Sequence, residues 1–364
     1  MNSDFKTLLI TKKEIREALD KNTFWKNAKN VPFTKSKANW LLQNSRIEEN
    51  DICGLIGYED EVMIAFIYFI PDYIKTSAGE KKIYWCRRWW VADAYKNSIL
   101  ATYMMNEAVN AVDKQVLIKY IGKEVEEFYD KQPFTKFSER ERFFILFNAD
   151  ANLLISKITV LKYAKPIAKY LERISGWWIQ KINRKKISKT VSGLSYEYLS
   201  SLDQETWEFL ENKCKNDLIP KTKEYVNWQL SNNQYAITPV INRFPYHCLI
   251  ASASEQLHHI NLSVKKEKEI IGFLSFLVRG NEFNVKYFVA KEGYMDECVS
   301  ALMDNFIKTN TNIIHTENTV LGKKISEKFS NFYSDKRILY AFAHNDIENN
   351  FENVSLYDRD GHFA

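Results

Sequence analysis

Apolar positions along the first part of the chain change period several times, and each change marks an element. Lys6 to Ile10 carries a strand pattern, and Thr11-x-x-Glu14 is a capping box that opens a helix straight after it. A second helix is expected around Trp40. Three strands follow at Asp51 to Gly57, Val62 to Pro71 and Lys82 to Val91, the first two joined by the turn Glu59-Asp60-Glu61. Met63 to Ile70 is the most apolar stretch, but its eight residues fall far short of the roughly 20 that a membrane-spanning helix needs. It reads as a buried strand. From Ala101 to Val109 the apolar residues recur at i, i+3 and i+4, which predicts a helix. A strand at Val116 to Tyr120, a short helix at Val125 to Tyr129 and a last strand at Arg142 to Phe147 complete the series. An antiparallel meander followed by strand–helix–strand crossovers predicts an α/β fold with a mixed sheet and helices on both faces.

The pattern then recurs. Thr34 to Asn44 reads TKSKANWLLQN and Thr222 to Asn232 reads TKEYVNWQLSN, with six of eleven positions identical at an offset of 188 residues. Ile64 to Ile70 has a counterpart in Ile271 to Leu277, both rich in β-branched and aromatic residues. Ala101 to Val109 matches Val299 to Ile307 as a helix, and strands follow at Val116 and at Asn312 to His315. The chain therefore divides into two copies of one α/β unit, 1–150 and 193–364, joined by a helical connector, 151–192.

Composition sharpens this picture. A chain of 364 residues with 45% apolar and 14% aromatic residues can bury two cores, which excludes disorder, and only 11 glycines and 7 prolines exclude collagen-like sequence. The net charge of +5 conceals a basic segment, since Lys157 to Lys189 holds ten Lys or Arg against the single acid Glu172. The remainder is mildly acidic, and no binding motif is present, so nucleic acid is not an expected partner. Pro166 and Gly176 are expected to break the connector into shorter helices. Trp177-Trp178 among lysines fits peripheral membrane contact through residues 153–189; the plainer alternative is an inter-domain helix with its lysines in water. Five cysteines lie more than thirty residues apart, without Cys-x-x-Cys or Cys/His clusters, so neither a disulfide framework nor a metal site is expected. Leu8 to Ile10 is too short an apolar run for a signal peptide. A cytoplasmic location follows, with the inner membrane face as the alternative.

Four features point to a family: the Asn-Trp block, IYWCRRWWVADAY (Ile83 to Tyr95), the helix after it, and FYDKQPF (Phe128 to Phe134). The ending LYDRDGHFA is similar too. In this element order they resemble the GNAT N-acetyltransferases, in the tandem form found among bacterial surface-polysaccharide functions. The resemblance implies two tandem GNAT-like domains and acetyl-CoA as co-substrate, lying where the fourth and fifth strands splay apart. Backbone amides at Trp89, Trp90 and Val91 would hold the pantetheine arm and face the thioester oxygen as it becomes an oxyanion. The pyrophosphate would sit on the helix N-terminus formed by Lys96, Asn97, Ser98, Ile99, Leu100 and Ala101, where unpaired N–H groups and the helix dipole favour an anion. Ile99 departs from the family, standing where glycine would allow close approach and unusual φ/ψ angles. Tyr129 matches the family's tyrosine acid, which protonates the departing thiolate, although Pro133 replaces the glycine after it. No base is assigned; Glu48, Glu49, Asp72 and Asp93 are the nearby carboxylates.

Copy two lacks these features. Asp296 and Glu297 fall where phosphate would be received and would repel it, and Phe329 stands at the tyrosine position. One active site, in copy one, is expected. The leading function is an acyl-CoA-dependent N-acetyltransferase acting on a small amine, such as an amino sugar. The alternatives are an aminoacyl-tRNA-dependent peptidyl-type transferase and a catalytically silent scaffold that binds partners.

Overall fold

The structure, a computed structural model, describes residues 5–26, 29–148, 165–235, 247–250, 257–348, 351 and 355–361. The part of the expected connector at 151–164, and the final His362-Phe363-Ala364, lie outside the described residues.

The chain forms two compact units: Met1–Glu139, Glu211–Leu257 and Leu339–Ala364 make the first, and Arg140–Leu210 with His258–Ile338 make the second. These units cut across the ranges 1–150, 151–192 and 193–364, because each takes in segments from both halves of the sequence. Both are of mixed α/β type.

Unit 1 begins with β1 (Phe5–Thr11), α1 (Lys12–Lys21), β2 (Asn30–Phe33) and α2 (Lys35–Leu42). Then come β3 (Ile52–Glu59), β4 (Val62–Thr76), β5 (Gly79–Val91), α3 (Leu100–Ala111), β6 (Val116–Gly122) and α4 (Lys123–Asp130). β7 (Phe134–Leu146) begins here and ends in unit 2. The capping box is present: Thr11 Oγ1 accepts from Glu14 N–H at 3.3 Å, and Glu14 Oε2 accepts from Thr11 N–H at 2.6 Å. The β3–β4 turn puts Asp60 and Glu61 at φ 47° and 64°, the two positive values that a two-residue hairpin turn needs to match strand twist.

Unit 2 holds α5 (Lys165–Val191), β8 (Leu194–Leu199), most of α6 (Gln204–Lys213), β10 (Leu257–Lys266), β11 (Glu269–Arg279), β12 (Glu282–Ala290), α8 (Met295–Lys308), β13 (Ile313–Thr316) and α9 (Thr319–Lys328). α7 (Lys223–Leu230), β9 (His247–Ile250) and the second half of β14 (Tyr333–His344) belong to unit 1.

In unit 1 the strand order is β1-β3-β4-β5-β6-β14, with β5 and β6 parallel and β14 antiparallel to β6. In unit 2 it is β8-β10-β11-β12-β13-β7, with β12 and β13 parallel and β7 antiparallel to β13. Each sheet is thus closed by a strand from the opposite half of the sequence. In unit 1 the reason is visible in the packing, since Phe342 and Tyr340 of β14 are buried in the same cluster as Ile118 and Ile121 of β6. β2 and β9 form a separate parallel pair, also in unit 1, which the sequence pattern had not marked.

Two expectations need correction. The last strand of copy one starts at Phe134, eight residues before Arg142. The connector is not broken at Gly176: α5 runs unbroken from Lys165 to Val191, with Pro166 in its first turn, where a missing N–H costs nothing. Gly176 answers to packing, because a Cβ there would meet the Asn148 side chain at 2.8 Å.

Candidate functional site

β5 is hydrogen-bonded along its whole length to β4, with Ile67↔Trp89, Phe66↔Trp90 and Ala65↔Val91 as the last pairs. Its other edge is different. β5 pairs with β6 only at Tyr84↔Val116, Trp85↔Leu117 and Cys86↔Ile118, and the pairing stops there. Arg87 is an extra residue, because Tyr68 pairs with Arg88 and Phe69 with Cys86. On β6, Tyr120 is the extra residue opposite β14, at φ 71°. A bulge on each strand bends it and increases its twist. β5 and β6 therefore part beyond Cys86, and on that edge Arg87 to Val91 have no strand partner among the described residues.

α3 follows through Asp93–Tyr95, a single 3-10 turn. Its N-cap residue, Ile99, has φ −71° and ψ −8°, an ordinary helical conformation, and its side chain is 85% exposed. The backbone here does not need glycine, and the isoleucine points to solvent rather than filling the turn. Ile99 also offers no acceptor to the first-turn amides. Thr11, Thr34, Thr222 and Asn318 cap their helices by accepting an amide hydrogen bond, and nothing comparable exists at α3. Ser98 Oγ accepts from Leu100 N–H at 3.2 Å. No acid occupies the first turn. Lys96 and Asn97 are exposed, and Lys96 is paired with exposed Asp93 at 2.8 Å, a contact of small strength that an incoming anion can replace.

The site residues separate by face. Trp89, Val91 and Leu100 pack with Tyr129, Cys86 and Phe342 on the α3–α4 side of the sheet, whereas Trp90 joins the opposite cluster, with Trp85 and Tyr68. Tyr129 is only 5% exposed; its ring stacks on Phe342 at 5.4 Å and meets Phe128 and Phe134 edge-on. Phe128 in turn lies 5.5 Å from Trp89. Burial pushes the Tyr129 phenol above its usual pKa, with Cys86 adding to the shift, so the phenol keeps its proton.

None of the four carboxylates near the site stands ready as a base. Glu48 binds Lys82 at 2.8 Å, Glu49 binds Arg16 at 2.7 Å and Asp93 binds Lys96. Asp72 is fully buried and accepts from Arg46 at 2.8 Å, Tyr225 Oη at 2.5 Å, Trp85 Nε1 at 3.3 Å and its neighbour's N–H at 2.9 Å. Burial raises its pKa against the pull of Arg46. It organises the core between β4 and α7.

In unit 2 the strand geometry recurs. β12 pairs with β13 only at Glu282, Phe283 and Asn284, and Lys286 is the extra residue. The helix start does not recur: Asp296 and Glu297 occupy the first turn of α8, paired with Lys324 at 2.9 Å and Lys266 at 3.3 Å. Phe329 is buried at the end of α9.

Sequence reasoning missed a polar group on the α2 side of unit 1. Arg87 lies over the Tyr120 ring at 5.5 Å, Lys37 donates to Gln234 Oε1 at 2.8 Å, and Arg359 is fully buried, donating through Nε to Gln229 C=O at 2.7 Å. The segment 357–361 is drawn in by Lys119, which donates to the carbonyls of Tyr357 at 2.8 Å and Asp358 at 3.0 Å. Gly361, at φ +64°, lies flat on Trp85, where a Cβ would come within 2.6 Å of the ring. The signal was the YDRDG string itself, unusually polar for a segment that proves buried.

No protein-family model matches the chain, and no curated protein matches it in sequence. Among solved structures it is similar to a GCN5-related N-acetyltransferase from Kribbella flavida, at 10% identity and a TM-score of 0.48 over 94% of this chain and 72% of that one. A probable N-acyltransferase from Enterococcus faecalis V583 gives 8% identity and 0.49 over 94% and 73%. Saccharomyces cerevisiae N-myristoyltransferase, in a structure with bound myristoyl-CoA, gives 12% and 0.48 over 98% of this chain and 90% of that one.

Proposed function

We propose that the protein is an acyl-CoA-dependent N-acyltransferase of GNAT type, using acetyl-CoA and a small amine such as an amino sugar of a surface polysaccharide, with its site in unit 1. One observation carries the reading. β5 and β6 part after Cys86↔Ile118, and the edge so freed leads to a helix whose N-cap residue gives no side-chain cap and whose first turn holds no acid. Two kinds of unpaired N–H groups, one row for an amide-like arm and one cluster for a diphosphate, then lie on consecutive segments. The amine nitrogen would form its bond to the thioester carbon as the C–S bond breaks. An amide of Trp89, Trp90 or Val91 would stabilise the oxyanion, and Tyr129 would give its proton to the sulfur, to be reprotonated by the proton the amine loses. Calorimetric titration with acetyl-CoA tests the proposal: saturable binding is expected. Binding of aminoacyl-tRNA instead would favour the tRNA-dependent transferase, and binding of neither would leave the silent scaffold.

The same protein would work at the inner membrane face. No described helix is long and apolar enough to cross a membrane. On α5, however, Tyr170, Ile174, Trp177, Trp178 and Ile182 are exposed, while Gly176, Asn183 and Ile187 form the buried face. Lys181 lies 4.8 Å from the Trp177 ring, and Arg173, Arg184 and Lys185 are exposed beside it. Aromatic rings and cations sharing an exposed face suit an anionic lipid surface.

A further inference from the structure

Inside unit 1, on the α2 side of the sheet, the hydrogen-bonding groups buried without partners among the described residues include Tyr68 Oη and Arg359 Nη1. Tyr68 is 2% exposed and Arg359 is not exposed at all. A buried hydroxyl or guanidinium N–H without an acceptor costs about 1–3 kcal/mol, so folds seldom leave such a group without a purpose. Arg87 stands beside them. It is the bulge residue at the point where β5 leaves β6, it is half-buried, and the group it faces is an aromatic ring, Tyr120.

The local charges do not cancel these cations. Arg359 uses Nε and Nη2 on the backbone carbonyl of Gln229, which is neutral. Among the described residues no salt bridge includes Arg87 or Arg359. Of the nearby acids, Asp360 is bound to Lys221, and Asp358 accepts from Tyr120 Oη at 2.6 Å, although its charge also reaches Arg87. Lys37 belongs to the same group: burial, with Arg359 and Arg87 adding to it, holds it well below the usual lysine pKa. Arg87 likewise acts on Tyr68. All of these residues belong to unit 1, and Arg87 lies one residue past the last β5–β6 pair.

We propose that Tyr68, Arg87 and Arg359 form a pocket for an anionic group, a carboxylate or phosphate carried by the acceptor amine. An anion would accept from Tyr68 Oη and Arg359 Nη1, satisfying both, and would face the Arg87 cation. The pocket's place beside the parting of β5 and β6 would hold that amine against the acyl carbon. The acceptor role rests on the acyltransferase reading; the anion site does not.

The test is calorimetric titration of the full chain with glucosamine 6-phosphate, L-glutamate and glucosamine, which lacks an anionic group, at neutral pH, with coenzyme A titrated in parallel. At least one of the two anionic amines should bind, about tenfold or more tighter than glucosamine at low salt, and whichever binds identifies phosphate or carboxylate. Tyr68→Phe and Arg87→Gln should each weaken that anion by about tenfold to a hundredfold and leave coenzyme A affinity unchanged. Tyr68→Phe should also melt no lower than the parent protein, because it removes an unsatisfied buried hydroxyl while keeping the ring. That combination separates recognition from a structural role. If neither anion binds, if glucosamine binds equally well, or if both variants bind as the parent does, the pocket is refuted. Coenzyme A binding without anion binding would sink the pocket alone, and the reverse would sink only the acyltransferase reading.

Discussion

Trp40 and Trp228 lie face to face in unit 1, ring centroids 4.1 Å apart and planes 14° from parallel, and each indole N–H donates to the other's backbone carbonyl at 2.8 Å. They occupy matching places in the two similar sequence segments, on α2 and α7, each capped by its threonine. A reciprocal pair of this kind needs both helices presented in the same way to each other, which two related segments facing across an axis supply.

Trp228→Ala should cost about 3–5 kcal/mol, from the lost ring volume and the lost indole hydrogen bond to the Trp40 carbonyl. Trp40→Ala should cost a similar amount. Because the two contacts are shared, the double variant should lose clearly less than the sum of the singles, as read from urea unfolding midpoints.

Replacing Ile99 by Asp separates helix stability from anion binding. An aspartate at the N-cap would accept from the open first-turn amides and should stabilise the protein by about 1 kcal/mol. The same charge would stand where the diphosphate is received, as Asp296 and Glu297 do in unit 2. Coenzyme A affinity should fall about tenfold or more while the melting temperature rises; unchanged affinity would move the diphosphate elsewhere.

Tyr129→Phe should lower acetyl transfer by about a hundredfold or more, within the range general acids supply, and should leave coenzyme A binding unaltered. The buried ring contacts with Phe342 and Phe134 persist in phenylalanine, so stability should hardly change. Undiminished turnover would confine Tyr129 to packing.

Asp217 makes stability depend on pH. It is buried 3.9 Å from Lys221, and burial, with the Asp360 charge opposing Lys221, raises its pKa to about 7. The native state therefore holds a proton that the unfolded chain, with a pKa near ~4, has already released. Stability from this group falls as pH climbs from that range to about 7 and is level above it. Asp217→Asn should flatten this slope, and denaturation midpoints at pH 5 and 8 should then differ less than in the parent protein.

Vesicles of neutral and of anionic lipid distinguish a membrane face on α5 from a merely exposed one. Flotation with anionic vesicles at low salt, lost at high salt and lost in the Trp177→Ala/Trp178→Ala double variant, is the expected result. Absence of the protein from the lipid fraction would leave these tryptophans without that role.

Local features were legible from the chain alone. Capping at Thr11, the hairpin at Asp60-Glu61, the buried β4 run, the amphipathic α3 and the acids opening α8 all depend on neighbours within a few residues, so period and residue type settle them. What the sequence could not decide is anything that depends on pairing over long separation. That β14 closes the sheet beside β6, that β5 and β6 part after three pairs, and that Arg87 becomes a bulge are all matters of register between distant strands. The same holds for Arg359, a charged residue that hydropathy alone would leave in water. It is buried only because Lys119 and Gln229, 240 and 130 positions away, supply the partners that offset its desolvation and that of its neighbours. Local periodicity writes the elements; which distant edges meet, and so where the unpaired donors collect, is set only when the chain is packed.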